Sequence, residues 1–325
     1  MSQDFEAGYM GLERRGELAG RAAELYSIYR CCRLCPRECG VDRTKGELGV
    51  CRSGARARVA AAHPHFGEER PVAGRGGSGT IFFSHCNLLC VFCQNWEISH
   101  RGDGSEVSDE GLATLMIGLQ EAGCRNINLV TPTHVVPSIV GALRLAIARG
   151  LRVPLVYNCG GYEAEEIVKL LDGIVDIYLP DFKFADSAVA EKYCGGARDY
   201  AERAAAAILE MHRQVGDLVV DENGIALREL MIRHLVLPGN IATHDMPMST
   251  SLRSVGSLDV PLGTPPVAGL RAPRIHGHLL RRTTAVLGKS GPERSIPELA
   301  PRFTAAEYRQ ALDWARAAAL AVEWG

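Results

Sequence analysis

The chain has 325 residues, 46% hydrophobic and 23% charged, the balance of a soluble globular protein rather than a disordered or fibrous one; at this length one large α/β barrel-type domain with an appendage can bury roughly three quarters of its unfolded surface. Thirty-six basic against 38 acidic residues leave a formal charge of -2, too balanced to collect nucleic acid or anionic lipid, so neither is expected as a partner. No apolar run approaches the ~18 residues that span a bilayer, and the charged start of the chain lacks an apolar signal core, which predicts a cytoplasmic protein.

In chain order, Leu18, Ala22, Leu25, Tyr26 and Tyr29 recur at helical spacing and predict a helix over 16–30. It opens an N-terminal, cysteine-rich, metal-binding module assigned to residues 1–73. The glycine-rich stretch 74–79 precedes a strand and lacks the Lys-Ser/Thr pair of a phosphate loop, so it reads as a tight turn. The run Thr80-Ile81-Phe82-Phe83-Ser84 is the first predicted core strand. Helices then alternate with strands: helix 108–122, strand 126–130, helix 135–149, strand 153–157, helix 163–171, strand 174–179, helix 200–215 and strand 230–237. This alternation predicts right-handed βαβ units and a parallel sheet over a core of residues 74–240, with ligands at the carboxyl ends of the strands. The remainder, 241–325, loses the pattern. Within it, 241–291 reads as a shifted reading frame or a heavily diverged insert, before Ile296-Pro297-Glu298-Leu299-Ala300 resumes and a helix over 304–322 closes the chain.

Eight of the eleven cysteines fall into two clusters, which in a reducing compartment read as metal ligands rather than disulfides. Cys86, Cys90 and Cys93 form CxxxCxxC directly after the first core strand. A [4Fe-4S] cluster ordinarily takes four thiolates, so three leave one iron open for a substrate or cofactor. The competing readings are a zinc site completed by His85, or three thiols buried as small hydrophobes. Cys32, Cys35, Cys39 and Cys51 form CxxCx3Cx11C, a full four-thiolate set for zinc or a second iron-sulfur cluster, with Cys31 as a spare. Cys124, Cys159 and Cys194 are scattered; packing is their default role, and Cys159, at a strand end, is the one expected near the active site. Single histidines, here His85, His134 and His234, are more often structural than functional.

The CxxxCxxC loop with Phe92 before its last cysteine, opening a βα barrel, resembles the radical S-adenosylmethionine (SAM) superfamily. The strings CPRECGVDRTKGELGVC, GSGTIFFSHCNLLCVFCQNWEIS, NLVTPTH and IRHLVLPGN resemble the subfamily named after the pyruvate formate-lyase activating enzyme, over about residues 31–240. The resemblance implies a partial (β/α)6 TIM-type barrel in which SAM chelates the open iron. It also implies that an electron from a flavodoxin or ferredoxin cleaves SAM to methionine and a 5'-deoxyadenosyl radical, which abstracts hydrogen from an unassigned substrate. By position, the SAM pocket would draw on Phe92, Asn95, Thr131, Thr133, Asn158, Asp181, Lys183 and Arg233. Thr131-Pro132-Thr133 stands where relatives carry Gly-Gly-Glu. The substrate is a glycyl radical protein, or a small molecule or peptide. Relatives that activate glycyl radical enzymes carry their extra cysteines after the CxxxCxxC loop, whereas here the second set precedes the barrel. A different class of reading is a catalytically silent iron-sulfur or zinc protein with a structural or electron-transfer role; a third is redox sensing through the scattered thiols.

Overall fold

The computed structural model describes residues 5–235 and 275–278. Two short helices, α1 (Gly8–Arg14) and α2 (Glu17–Ser27), lead into an irregular cysteine-rich segment, then strand β1 (Ala57–His65), helix α3 (Arg70–Ala73) and strand β2 (Ser78–Phe83). A short strand, β3 (Ser105–Val107), precedes the alternation α4 (Asp109–Glu121), β4 (Ile127–Val130), α5 (Val136–Ala148), β5 (Leu155–Cys159), α6 (Glu165–Leu170) and β6 (Ile177–Phe182). Helices α7 (Ser187–Tyr193) and α8 (Tyr200–Val215) follow, then β7 (Val219–Val220), β8 (Ala226–Leu230), β9 (Ile232–Leu235) and β10 (Ile275–His278). Local chemistry sets several boundaries. The Ser108 hydroxyl caps α4 by accepting from the Gly111 amide at 3.2 Å, with Asp109 and Glu110 in the first turn.

The sheet runs β10-β9-β6-β5-β4-β2-β1-β3. From β2 to β10 neighbours on this path are parallel, while β1 pairs antiparallel with both β2 and β3. Among the described residues the sheet does not close. The chain is therefore a mixed α/β fold with a parallel-rich, unclosed sheet, as expected from the alternation, and of the partial TIM-barrel kind that the resemblance implies.

Register separates two apolar layers. Ile81, Leu129 and Tyr157 are in step on one face and join the large core formed with the helices. On the other face Val156, Ile177 and Leu179 pack with Ala226, Met231 and Val72. Val72 comes from α3, and its carbonyl accepts from the Asn126 side chain at 2.8 Å. That helix thus stoppers the inner face at the amino ends of the parallel strands. Each such side chain contributes roughly 1.5–3 kcal/mol by leaving water.

Besides short elements such as α1, α3, β3, α7 and β7, the structure departs from the sequence reading within the sheet at three places. Strand β1 is absent from that reading, because Ala-Arg-Val-Ala-Ala-Ala-His-Pro-His has few strand-favouring residues and carries Pro64. The strand expected over 230–237 divides around Met231 into β8 and β9, which both pair with β6. Within the tract that showed no strand period, β10 pairs in parallel with β9 from Ile275 opposite Ile232. The rest of 241–291, the Ile296–Ala300 pattern and the helix over 304–322 lie outside the described residues.

Candidate active site

The CxxxCxxC loop leaves the carboxyl end of β2, where the parallel strands point their loops. Two turns in the left-handed region, His85 at φ 72° and Leu89 at φ 51°, coil it tightly. The coil closes against Gly102, where a Cβ would lie 2.2 Å from the His85 ring. Sulfur-directed donors line the loop: the Leu88 amide donates to Cys86 Sγ at 3.3 Å, and the Ser99 hydroxyl to Cys93 Sγ at 3.2 Å. The Asn95 amide bonds the Cys93 sulfur as well. Burial, with the Cys90 and Cys93 sulfurs close by, pushes the Cys86 thiol up to about 12. Three sulfurs near one another, Cys90 buried and Cys86 and Cys93 half-buried, ionise together only around a cation. This donor set fits the three-thiolate side of an iron-sulfur cluster.

Cys90 has a partner the sequence reading missed. Its Sγ lies 3.3 Å from Cys194 Sγ, and a backbone bridge joins the two residues. Of the scattered cysteines it is thus Cys194 that touches the loop, correcting the assignment of that place to Cys159 alone. Cys194 follows α7, an element the sequence reading did not include, and no local pattern marks the contact. Cys159 is fully buried, and burial and the Glu163 carboxylate push its thiol well above the ordinary range.

The predicted SAM-contact residues divide into two groups. Near the loop, Phe92 packs edge-on to Phe184 at 5.9 Å. Lys183 Nζ pairs with Asp181 Oδ2 at 2.6 Å. Burial opposes the Lys183 charge, but Asp181 and the Cys90 sulfur hold its pKa well above normal. The other group is turned to structural partners. Arg233 bonds both Glu69 oxygens, at 2.9 and 2.6 Å, as well as Glu68, and donates to Asn158 Oδ1 at 3.1 Å. Thr133 donates to Glu163 Oε1 at 2.7 Å, and Tyr157 to Oε2 at 2.9 Å. Burial lifts the Glu163 pKa to about 7 against those two bonds. Thr131 directly follows β4 at φ 59°, a strained setting for a β-branched residue. His134 is structural: its Nε2 donates to the Ser84 carbonyl at 2.7 Å, and burial lowers its pKa to about 3, leaving the ring neutral.

The N-terminal cysteines lie against this loop. Cys32, Cys35 and Cys51 are buried and Cys39 half-buried, whereas Cys31 is exposed. Amides of Arg37, Val50 and Ser53 donate to the sulfurs of Cys35, Cys39 and Cys51 respectively. Arg43, buried under the Tyr29 ring, donates to Cys51 Sγ at 3.4 Å and to the His134 carbonyl at 2.8 Å. Arg37 donates to the carbonyls of Asn87 at 2.9 Å and Cys194 at 3.1 Å. Among the described residues no three His, Cys, Asp or Glu side chains already converge at metal-bonding distance. As placed, neither cysteine set forms a ready-made metal site.

Residues 80–222 match the radical SAM superfamily. An uncharacterized protein of Methanocaldococcus jannaschii is 31% identical over 223 residues, covering 66% of this chain and 59% of the relative. The chain thus spans less than two thirds of the length of that curated relative. Among solved structures, Streptococcus suis SuiB bound to S-adenosylmethionine aligns over 74% of this chain and 48% of that one, with 10% identity and a TM-score of 0.41. SuiB bound to the precursor peptide SuiA aligns over 74% and 46%, with 11% identity and a TM-score of 0.42. No helix among the described residues is long and apolar enough to cross a membrane.

Proposed function

We propose that this chain, which carries a radical SAM superfamily domain over residues 80–222, is an enzyme that holds a [4Fe-4S] cluster on Cys86, Cys90 and Cys93 and cleaves SAM to abstract hydrogen from its substrate. The observation that carries this reading is the loop itself: three sulfurs at the carboxyl end of the first parallel strand, met by the Leu88 and Asn95 amides and the Ser99 hydroxyl. When bound, the reduced cluster supplies the electron that splits SAM into methionine and a 5'-deoxyadenosyl radical.

The protein's own groups bind and orient. Cys90 turns from Cys194 to complete the ligand set, and its neighbour Lys183 offers a cation to the methionyl carboxylate while Asp181 takes the ammonium group. Arg233 and Asn158 are second choices for the carboxylate and ribose, because Glu68 and Glu69 already neutralise Arg233. Phe92 shields the adenine and Asn95 anchors Cys93, while Thr131 shapes the turn where Thr133 is held by Glu163. The electron donor is a flavodoxin or ferredoxin, and the protein works in the cytoplasm. The substrate class stays open between a glycyl radical protein and a small molecule or peptide. Cys32, Cys35, Cys39 and Cys51 hold a second metal.

The test is anaerobic reconstitution with iron and sulfide, then dithionite and SAM, following 5'-deoxyadenosine by chromatography. The product is expected from the unmodified chain and not from one with Cys86→Ala, Cys90→Ala and Cys93→Ala together. A fully loaded cluster that leaves SAM intact would instead support a structural or electron-transfer metal protein.

A further inference from the structure

Residues 31–56, all described, hold a single 3-10 turn and no strand or α-helix. Even so, Leu34, Arg43 and Ser53 are buried beside Cys32, Cys35 and Cys51. So long an irregular segment has little apolar surface to hold itself in place, and small modules of this kind use cross-links where a core is lacking. No disulfide is present, since every cysteine is free. What the segment does supply is a shell of groups aimed at sulfur: three backbone amides and the Arg43 guanidinium.

The geometry points to a closed zinc site on Cys32, Cys35, Cys39 and Cys51 that fixes the position of the CxxxCxxC loop through Arg37 and Arg43. Four thiolates complete a tetrahedral zinc shell with no open position, and binding releases the thiol protons to solvent. The Arg43 cation offsets part of the negative charge that four thiolates leave on the site. Packing favours one ion over a cluster. Cys39 Sγ is backed so closely by the chain that a Cβ on Gly49 would lie 2.7 Å from it, and Arg43 abuts Cys51. A single ion occupies less space between the sulfurs than four irons and four sulfides would, so it disturbs this packing less.

Both arginines are positioning residues. Arg37, in the turn after Cys35, grips the Asn87 carbonyl next to Cys86 and the Cys194 carbonyl beside Cys90. Arg43 holds the His134 carbonyl, and His134 holds that of Ser84, where the loop begins. The loop is thereby braced on both flanks. This second half rests on the reading that Cys86, Cys90 and Cys93 carry the cluster; the zinc assignment does not.

Two measurements separate the halves. The chain with Cys86→Ala, Cys90→Ala and Cys93→Ala is purified and its zinc, iron and acid-labile sulfide are measured; about one zinc per chain is expected, without sulfide. Adding Cys35→Ser and Cys51→Ser should lower zinc at least about fivefold. Iron with sulfide in the triple variant, or no metal and four reactive thiols in a folded chain, overturns the zinc site whatever becomes of SAM cleavage. For the brace, Arg37→Ala is made with all cysteines intact and reconstituted. Unchanged zinc with an altered electron paramagnetic resonance signal of the reduced cluster supports it, and an unchanged signal overturns it.

Discussion

The two cysteine sets place the same side chain on opposite kinds of scaffold. Four thiols lie in a segment without regular structure, where amides and a guanidinium surround the sulfurs. Three thiols hang from the end of a parallel strand, on a loop coiled through left-handed turns at His85 and Leu89. On the proposed zinc reading, the first arrangement would use its ligands to create order. The second borrows order from the sheet and has one thiol fewer than a closed site. Ligand count and scaffold together distinguish a site built to hold a shape from one built to admit a second molecule.

The largest way to test this contrast is Cys90→Ala. Formation of 5'-deoxyadenosine should fall to background while zinc content, measured by mass spectrometry, stays unchanged; a parallel loss of zinc would merge the two sites into one. Next is Ile177→Ala in the inner apolar layer. Truncation there should lower stability by about 2–5 kcal/mol in urea unfolding, with the zinc signal retained until global unfolding.

Glu163→Gln tests the buried carboxylate under Thr133. Its folded pKa, about 7, is raised from 4.5, so its contribution to stability is full below 4.5 and is lost as pH rises through 7. The unmodified chain should lose about 3 kcal/mol relative to the variant across that window, read from urea midpoints at each pH. Equal slopes would mean that folding does not raise the Glu163 pKa. The smallest effect is expected from Cys194→Ser. Iron content and deoxyadenosine yield should stay within about twofold, because three ligands suffice for an open-iron cluster. A larger loss of iron would make Cys194 a fourth ligand and the loop a closed site after all.

The alternation of strands and helices was legible because each buried element repeats with its own period, and β2, β4, β5 and β6 fall close to where the pattern put them. Strand β1 was not legible, since its alanines read equally as helix or coil and its pairing with β2 is a tertiary fact. The cysteine sets were visible because spacing along the chain encodes them. Their surroundings were not. Arg37 reaches Asn87 and Cys194, and Arg43 reaches His134, across long sequence separations that no local pattern records. Arg233 illustrates the limit: its position on the fifth strand suggested a ligand contact, but Glu68 and Glu69, far earlier in the chain, already claim it.

The antiparallel pairing of β1 with β2 also bears on the order of assembly. It is closed by a connection much shorter than the crossover from β2 to β4, so it carries a smaller loop entropy than the first parallel pair. During synthesis from the amino terminus, both strands of this hairpin-like pair leave the ribosome before β4 does, so their pairing can come first. The CxxxCxxC loop emerges next, so pairing of β1 with β2 at that stage would present its cysteines at a held edge while the rest of the sheet is still being made.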